Sequence, residues 1–327
     1  MLLKIISGGL VGIAFGFVLQ RTRFCMTGGF RDMYIAKNNT LFHAFLIAIT
    51  VESVGVLSLI KLGIVSSPYE DYSVLGAIIG SYLFGIGIVL AGGCATGTWY
   101  RAAEGLIGSW VALFFYMLSA ASMKYGALQF LNQAISKYWV VNDNLAGQLG
   151  ISVWYFVLLL VIVTILLVIR ELNKPKKIVA TLAPKYKGIR HLLFEKQYHK
   201  FWAGFVIGLI ALIAWPASEF AGRTGGLGIT TPSANLISYV ATGDINLLNW
   251  GVFLVLGIFL GSYIAARGAG EFRWRLPDIK TIRKSTVGGI LMGIGASWAG
   301  GCTIGNGLTA TAVISSKGWI ALPLTIF

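Results

Sequence analysis

Residues 91–105 read AGGCATGTWYRAAEG and residues 299–310 read AGGCTIGNGLTA, and these two stretches decide the fold. Sliding the sequence by 208 positions lays Gly80–Gly97 over Gly288–Gly305 with ten of 18 positions identical, including the whole Ala91-Gly92-Gly93-Cys94 block over Ala299-Gly300-Gly301-Cys302. Chance does not give that agreement. Each copy interrupts an apolar run with glycines, and Gly-Gly permits positive φ and breaks the helical ladder. At membrane depth a broken ladder is tolerated only where the freed groups line a cavity or find internal partners. Both stretches therefore read as re-entrant turns.

The surrounding sequence supplies the membrane. Of 327 residues 56% are hydrophobic and 12% charged, which excludes a soluble fold. Apolar runs near the roughly 20 residues that span a bilayer occur at Leu2–Leu19, Phe42–Ile60, Ser73–Ala91, Leu106–Ser122, Ile151–Ile169, Phe201–Trp215, Leu247–Ala266 and Thr286–Ala299. The first carries Lys4 and no small-residue cleavage pattern before Arg21, so it reads as a permanent span and not a signal peptide. A ninth run, Gly318–Phe327, is too short to cross, as expected of a natural chain that continues. Two further polar, glycine-bearing breaks stand at Gln20–Asp32, QRTRFCMTGGFRD, and Glu219–Pro232, EFAGRTGGLGITTP.

The net charge of +14 would suit a nucleic-acid binder, but its placement argues otherwise. Fifteen of the 26 Lys and Arg residues fall in two loops, nine within 170–200 and six within 267–284. Basic loops stay in the cytoplasm beside anionic lipid. Residues 64–72, 127–150 and 231–246 hold one Lys between them and belong outside. With sides assigned, Ser73–Ala91 starts outside and its counterpart Thr286–Ala299 starts inside. The expected fold is an all-α polytopic membrane protein, an inverted repeat of transmembrane helices with re-entrant half-helices: residues 1–169, a basic cytoplasmic linker 170–200, and an inverted second repeat 201–327.

Half-helices that begin after a break aim free N–H groups and a partial positive charge at the cavity, which suits an anion. The donors here are the amides of Ala95, Thr96 and Gly97 and of Thr303, Ile304 and Gly305, reached across Gly92-Gly93 and Gly300-Gly301, with side chains at Thr96, Thr98, Thr303 and Asn306. Arg21 and Arg23 add charge. Glu52 and Glu219 fall within or beside apolar runs and are expected to pair with an arginine, Arg23 or Arg223, or to carry a coupling proton.

Cysteine occurs three times, at Cys25, Cys94 and Cys302, each in a glycine-bearing break. That count and spacing fit neither a disulfide framework nor a zinc site, and no nucleotide motif calls for a cofactor. Three readings stand. The thiols pack tight helix junctions; they hold a soft metal such as Cu(I) with Met26, against the basic lining; or they contact a sulfur-bearing anion whose soft terminal sulfur meets S–H groups. Hard oxyanions need only N–H and Arg donors, so three sulfur atoms on one path would be surplus for them.

AGGCATG, AGGCTIG and the N-terminal GFVLQRTRFCMTGGFRD together resemble the YeeE/YedE sulfur-transport family. The resemblance covers essentially the whole chain. It implies an hourglass-shaped permease of the bacterial inner membrane that takes up thiosulfate for cysteine synthesis. It also implies that Cys25, Cys94 and Cys302 lie along the path and hand the ion on by S–H···S contacts. Alternatives are another sulfur or selenium species, or a membrane sulfurtransferase using the same cysteines. The bilayer is the lasting partner, and a soluble cytoplasmic sulfur carrier or sulfurtransferase is a candidate one.

Overall fold

Without water to bond free N–H and C=O groups, a chain in lipid closes its hydrogen bonds within each helix, and every apolar run does so. The computed structural model describes residues 1–174, 187–196 and 198–326, so part of the basic linker lies outside the described residues. The first half contains α1 (Leu2–Thr22), α2 (Met26–Tyr34), α3 (Thr40–Lys61), α4 (Val74–Ala91), α5 (Ala95–Ala103), α6 (Ile107–Tyr125), the short α7 (Gln129–Ser136) and α8 (Leu145–Leu149), and α9 (Val153–Leu172). After α10 (Gly188–Phe194) come α11 (Lys200–Phe220), α12 (Thr230–Thr242), α13 (Trp250–Gly268), α14 (Ile279–Trp298), a π-helix (Gly305–Ala310) and α15 (Ser316–Ile326).

Among the described residues seven stretches are long and apolar enough to cross a membrane. The eighth expected run lies in α14, whose first turns carry Lys280, Arg283 and Lys284 and leave a shorter apolar part. The two halves are tied at both ends. At the basic end Leu106 bridges Arg275, and the Arg273 amide donates to the Glu104 carbonyl at 3.2 Å. At the opposite end β1 (Asp71–Ser73) pairs antiparallel with β2 (Val140–Asn142). Beside them Asp143 accepts from Ser315 Oγ at 2.6 Å and from the Lys317 amide at 2.8 Å. Tyr69 of the same end donates to the Val313 carbonyl at 2.7 Å. Burial, helped by Asp143, pushes this phenol up to about 12, so it remains a donor at working pH.

The helix pairing is unchanged when elements of the first half are exchanged with elements of the second. α1 packs along α13, α11 along α3, α4 along α14, α6 along α14 and α15 along α4. Exchanging α1 with α11, α3 with α13, α4 with α14 and α6 with α15 leaves that set unchanged. Since α4 leaves the opposite end and α14 leaves the basic end, the exchange also reverses direction. Small residues bring the paired backbones close, the means by which helices associate where lipid removes the hydrophobic drive. A Cβ on Gly87 of α4 would stand 2.7 Å from the Met292 amide, and one on Gly288 of α14 would stand 2.5 Å from that of Ala91. α9 lies outside this arrangement on α3, burying Val157, Leu160 and Thr164, half-burying Val153, Phe156, Val161 and Leu167, and turning Leu158, Leu159, Ile165 and Leu166 to lipid.

Candidate functional site

Each cysteine sits where one helix stops and another begins. α4 ends at Gly92, whose φ of 69° glycine takes without a Cβ penalty. Cys94 then caps α5 in extended geometry, and its Sγ accepts from the Gly97 amide at 3.4 Å. α14 ends in the same way, with Gly300 at φ 72° before Cys302. Here the Asn306 side chain completes the turn, donating to the Ala299 carbonyl at 2.8 Å and the Gly301 carbonyl at 3.2 Å. α1 ends at Arg23, held left-handed at φ 52°, and Cys25 caps α2.

Two vestibules enter the molecule from its two ends. The one at the basic end, about 930 Å³, is lined by Arg23, Cys25, Arg31, Tyr100, Arg101 and Lys200 among others. The one at the opposite end, about 710 Å³, has Gly300, Gly301, Cys302, Gly305 and Asn306 in its wall together with Arg223, Thr230 and Lys317. All three thiols are enclosed: Cys25, Cys94 and Cys302 are 4%, 3% and 2% exposed. Cys302 thus stands in the wall of one vestibule, Cys25 in the wall of the other, and Cys94, lining neither, is buried in the waist between them.

The waist is built from sulfur contacts. The Cys25 and Cys94 sulfurs both lie against Gly97 at the start of α5. A Cβ on Gly97 would stand 3.3 Å from Cys25 Sγ and 3.5 Å from Cys94 Sγ, so this glycine leaves the space beside both sulfurs. Cys302 interacts electrostatically with Cys94. Its own sulfur lies against the amides of Gly305, Ile304 and Ile229 and the Thr230 hydroxyl. Tyr116, near enough to interact with both Cys302 and Cys94, donates to Thr230 Oγ1 at 2.9 Å.

The other expected residues fall at different distances from this path. Gly93, Ala95, Thr96 and Gly97 are enclosed at the waist and line neither vestibule. The Thr96 and Thr303 hydroxyls are buried without hydrogen-bond partners among the described residues, and Thr303 faces a small cavity behind Cys302. Thr98 is satisfied within its own helix by the Ala95 carbonyl. Arg23 reaches the basic vestibule but is held by Glu104 at 2.6 Å and Glu271 at 2.8 Å. Arg21 turns away from it, donating to the Leu193 carbonyl at 3.0 Å.

The expected carboxylate–arginine pairs do not form. Glu52 accepts from the Trp215 indole at 2.9 Å, and Glu219 accepts from Ser66, because each arginine finds nearer groups. Arg223 is bound by Ser218 Oγ at 3.0 Å and the Gly226 carbonyl at 2.8 Å, and lies 5.7 Å over the Trp250 ring. Arg101 donates to the Gly92 carbonyl and to Tyr100 Oη. Both guanidinium groups thus have neutral partners and keep their charge available to an anion, one in each vestibule. Arg101, Arg223, Tyr116 and Thr230 are the residues that motif reading left out of the site. Arg101, Arg223 and Thr230 sit in recognisable breaks, whereas Tyr116, in the middle of α6, carries no local signal.

The model for the family described as sulphur transport matches residues 21–327. The thiosulfate transporter TsuA of Escherichia coli is 54% identical over 326 residues, covering 100% of this chain and 93% of that protein. TsuA of Spirochaeta thermophila is 34% identical over 330 residues, covering 96% of this chain and 94% of its own length. A multi-pass helical membrane protein with duplicated cysteine-bearing breaks, matched along nearly its whole length, this chain belongs to the sulphur-transport family.

Proposed function

We propose that the chain takes up thiosulfate across the bacterial inner membrane, with linker 170–200 and loop 267–284 on the cytoplasmic side and residues 1–169 and 201–327 as the two inverted repeats. The observation that carries the reading is the disposition of the thiols: Cys302 in the wall of one vestibule, Cys25 in the wall of the other, and Cys94 in neither, its sulfur beside Gly97 together with that of Cys25. Thiosulfate presents a soft terminal sulfur and three hard oxygens. Arg223 and the amides around Cys302 receive the charge, and S–H groups meet the sulfur as weak donors. The ion passes from Cys302 to Cys94 to Cys25 by S–H···S contacts, without a covalent bond, and emerges among Arg101, Arg23 and Lys200. A soluble sulfur-accepting protein at the basic end would keep the gradient inward.

Labelled thiosulfate uptake into cells expressing the chain tests this. Uptake is expected, competed by excess thiosulfate and not by sulfate, and mass spectrometry should find all three thiols unmodified after exposure. Equal competition by sulfate would remove the case for sulfur-to-sulfur recognition, and a persistent persulfide on Cys94 would replace passage with covalent chemistry.

A further inference from the structure

Glu52 lies midway along α3 and is 0% exposed. Its Oε1 accepts the 2.9 Å hydrogen bond from Trp215 Nε1 of α11, while Oε2 is buried with no hydrogen-bond partner among the described residues. Among the described residues no charged or titratable group of the neighbouring elements is paired with Glu52. On α3 itself, His43 faces Glu171 of α9 at 3.4 Å. On α2, Arg31 pairs with Asp32 at 3.0 Å. On α11, Lys200 donates to the Thr22 carbonyl and Glu219 accepts from Ser66. Further along α9, Thr164 bonds Thr50 at 2.9 Å, and the π-helix offers only neutral side chains. A carboxylate here would be a charge in the membrane interior with one donor; the neutral acid, with its proton on Oε2, is the form this site accommodates.

Trp215 connects this acid to the transport path. Its ring lines the vestibule that contains Cys302, and a Cβ on Gly226 of that wall would stand 2.6 Å from the indole nitrogen. Glu52 is therefore one indole ring behind the surface that receives the anion.

We infer that Glu52 binds a proton whose presence is linked to the anion at Cys302, so that one proton accompanies each ion; this rests on the transport reading above. A dianion in the vestibule and a carboxylate behind Trp215 repel across a low-dielectric wall. Protonation of Glu52 and occupancy by the anion favour each other, and the linkage is reciprocal. As the anion enters, the Glu52 carboxylate takes a proton from vestibule water, forming the O–H bond at Oε2. For one proton to cross with each ion, the Oε2–H bond must break after the anion has left, the proton passing to water of the basic-end vestibule as hydronium and the carboxylate being regenerated. Arg223, Cys302 and the Asp143–Lys317 pair of the same vestibule, and Tyr116 near Cys302, also face this region, so the Glu52 contribution is defined by comparison with Glu52→Gln, which keeps an acceptor for the indole.

The test uses the full chain in liposomes, with the membrane potential clamped at zero by potassium and valinomycin. With acid outside, wild-type protein should accumulate labelled thiosulfate about tenfold for each pH unit of gradient, the ratio that one linked proton sets. Glu52→Gln should exchange internal for external thiosulfate like wild type yet show no gradient-driven accumulation. Wild-type protein that exchanges thiosulfate but ignores the gradient, or Glu52→Gln protein that still accumulates it, overturns the linkage. Wild-type protein with no exchange overturns the thiosulfate reading beneath it. Should Glu52→Gln fail to exchange at all, the infrared spectrum of the wild type decides: the carbonyl stretch of a buried protonated carboxylic acid is expected, and its absence refutes the proposal.

Discussion

The Cys94 and Cys302 breaks begin from the same four residues and end in different local structures. After Cys94 the chain resumes at once as the regular helix α5, and the Gly97 amide turns onto the sulfur. After Cys302 it passes through a widened π-turn that the Asn306 side chain holds from inside. The positions that answer one another under the 208-residue shift explain the divergence: Thr98 corresponds to Asn306, and a threonine hydroxyl reaches only its own helix. One copy became a closed waist against a second thiol, and the other an open wall of a vestibule. A duplicated motif thus supplies the backbone turn, while the residue four places after the cysteine sets how far the turn opens.

The largest effects should separate the two thiols. Cys94 is buried beside Gly97 with Cys25 and lines neither vestibule, so Cys94→Ala is expected to bring labelled thiosulfate uptake to background. Cys302 shares its place with three amides and a hydroxyl that remain when the sulfur is replaced. Cys302→Ser should therefore lower uptake by about tenfold, equivalent to losing one modest hydrogen bond in the path. Uptake that tolerates Cys94→Ala, or falls further with Cys302→Ser than with Cys94→Ala, would reverse the roles of waist and wall.

Much of this was readable from one sequence because its carriers are local. Glycine pairs, apolar run lengths and the position of cysteine are properties of short segments, and they located the breaks and the spans. The partners of the buried charges are not local. Glu52 meets Trp215 across 163 positions, and Arg23 meets Glu104 across 81. No periodicity encodes such pairs; they follow from which helices the glycine faces bring together. The same holds for Tyr116 and Thr230, separated by 114 positions and joined only once α6 packs on α12.

A smaller effect should distinguish the two turns in stability. Asn306→Ala leaves the Ala299 and Gly301 carbonyls without their side-chain donor in a site only 5% exposed. A loss of about 1–3 kcal/mol is expected for buried groups left unpaired. Thr98→Val removes a hydroxyl whose bond to Ala95 adds little to an already formed helix, and about 0.5–1 kcal/mol suffices. Melting of the detergent-purified variants measures both. Equal losses would mean that Asn306 does not hold the turn.

The smallest contrast lies in the glycines themselves. Gly92 and Gly300 share a left-handed φ, of 69° and 72°, with no backbone atom among the close neighbours of an added Cβ: nothing stands within 4 Å at Gly92, and only the Lys317 side chain, at 3.5 Å, at Gly300. Alanine at either should cost the same, about 1 kcal/mol for the left-handed conformation alone. The glycines that follow are not equivalent. A Cβ on Gly93 would stand 3.4 Å from Arg101 Nη1 and 3.6 Å from the backbone, both ordinary contact distances, whereas one on Gly301 would stand 2.6 Å from Asn306 Oδ1 and displace the side chain that holds the turn. Gly301→Ala should thus exceed Gly93→Ala by part of the Asn306 effect, and in an Asn306→Ala background that excess should vanish. If it persists there, the crowding at Gly301 has another source, and the difference between the two breaks lies in the backbone and not in Asn306.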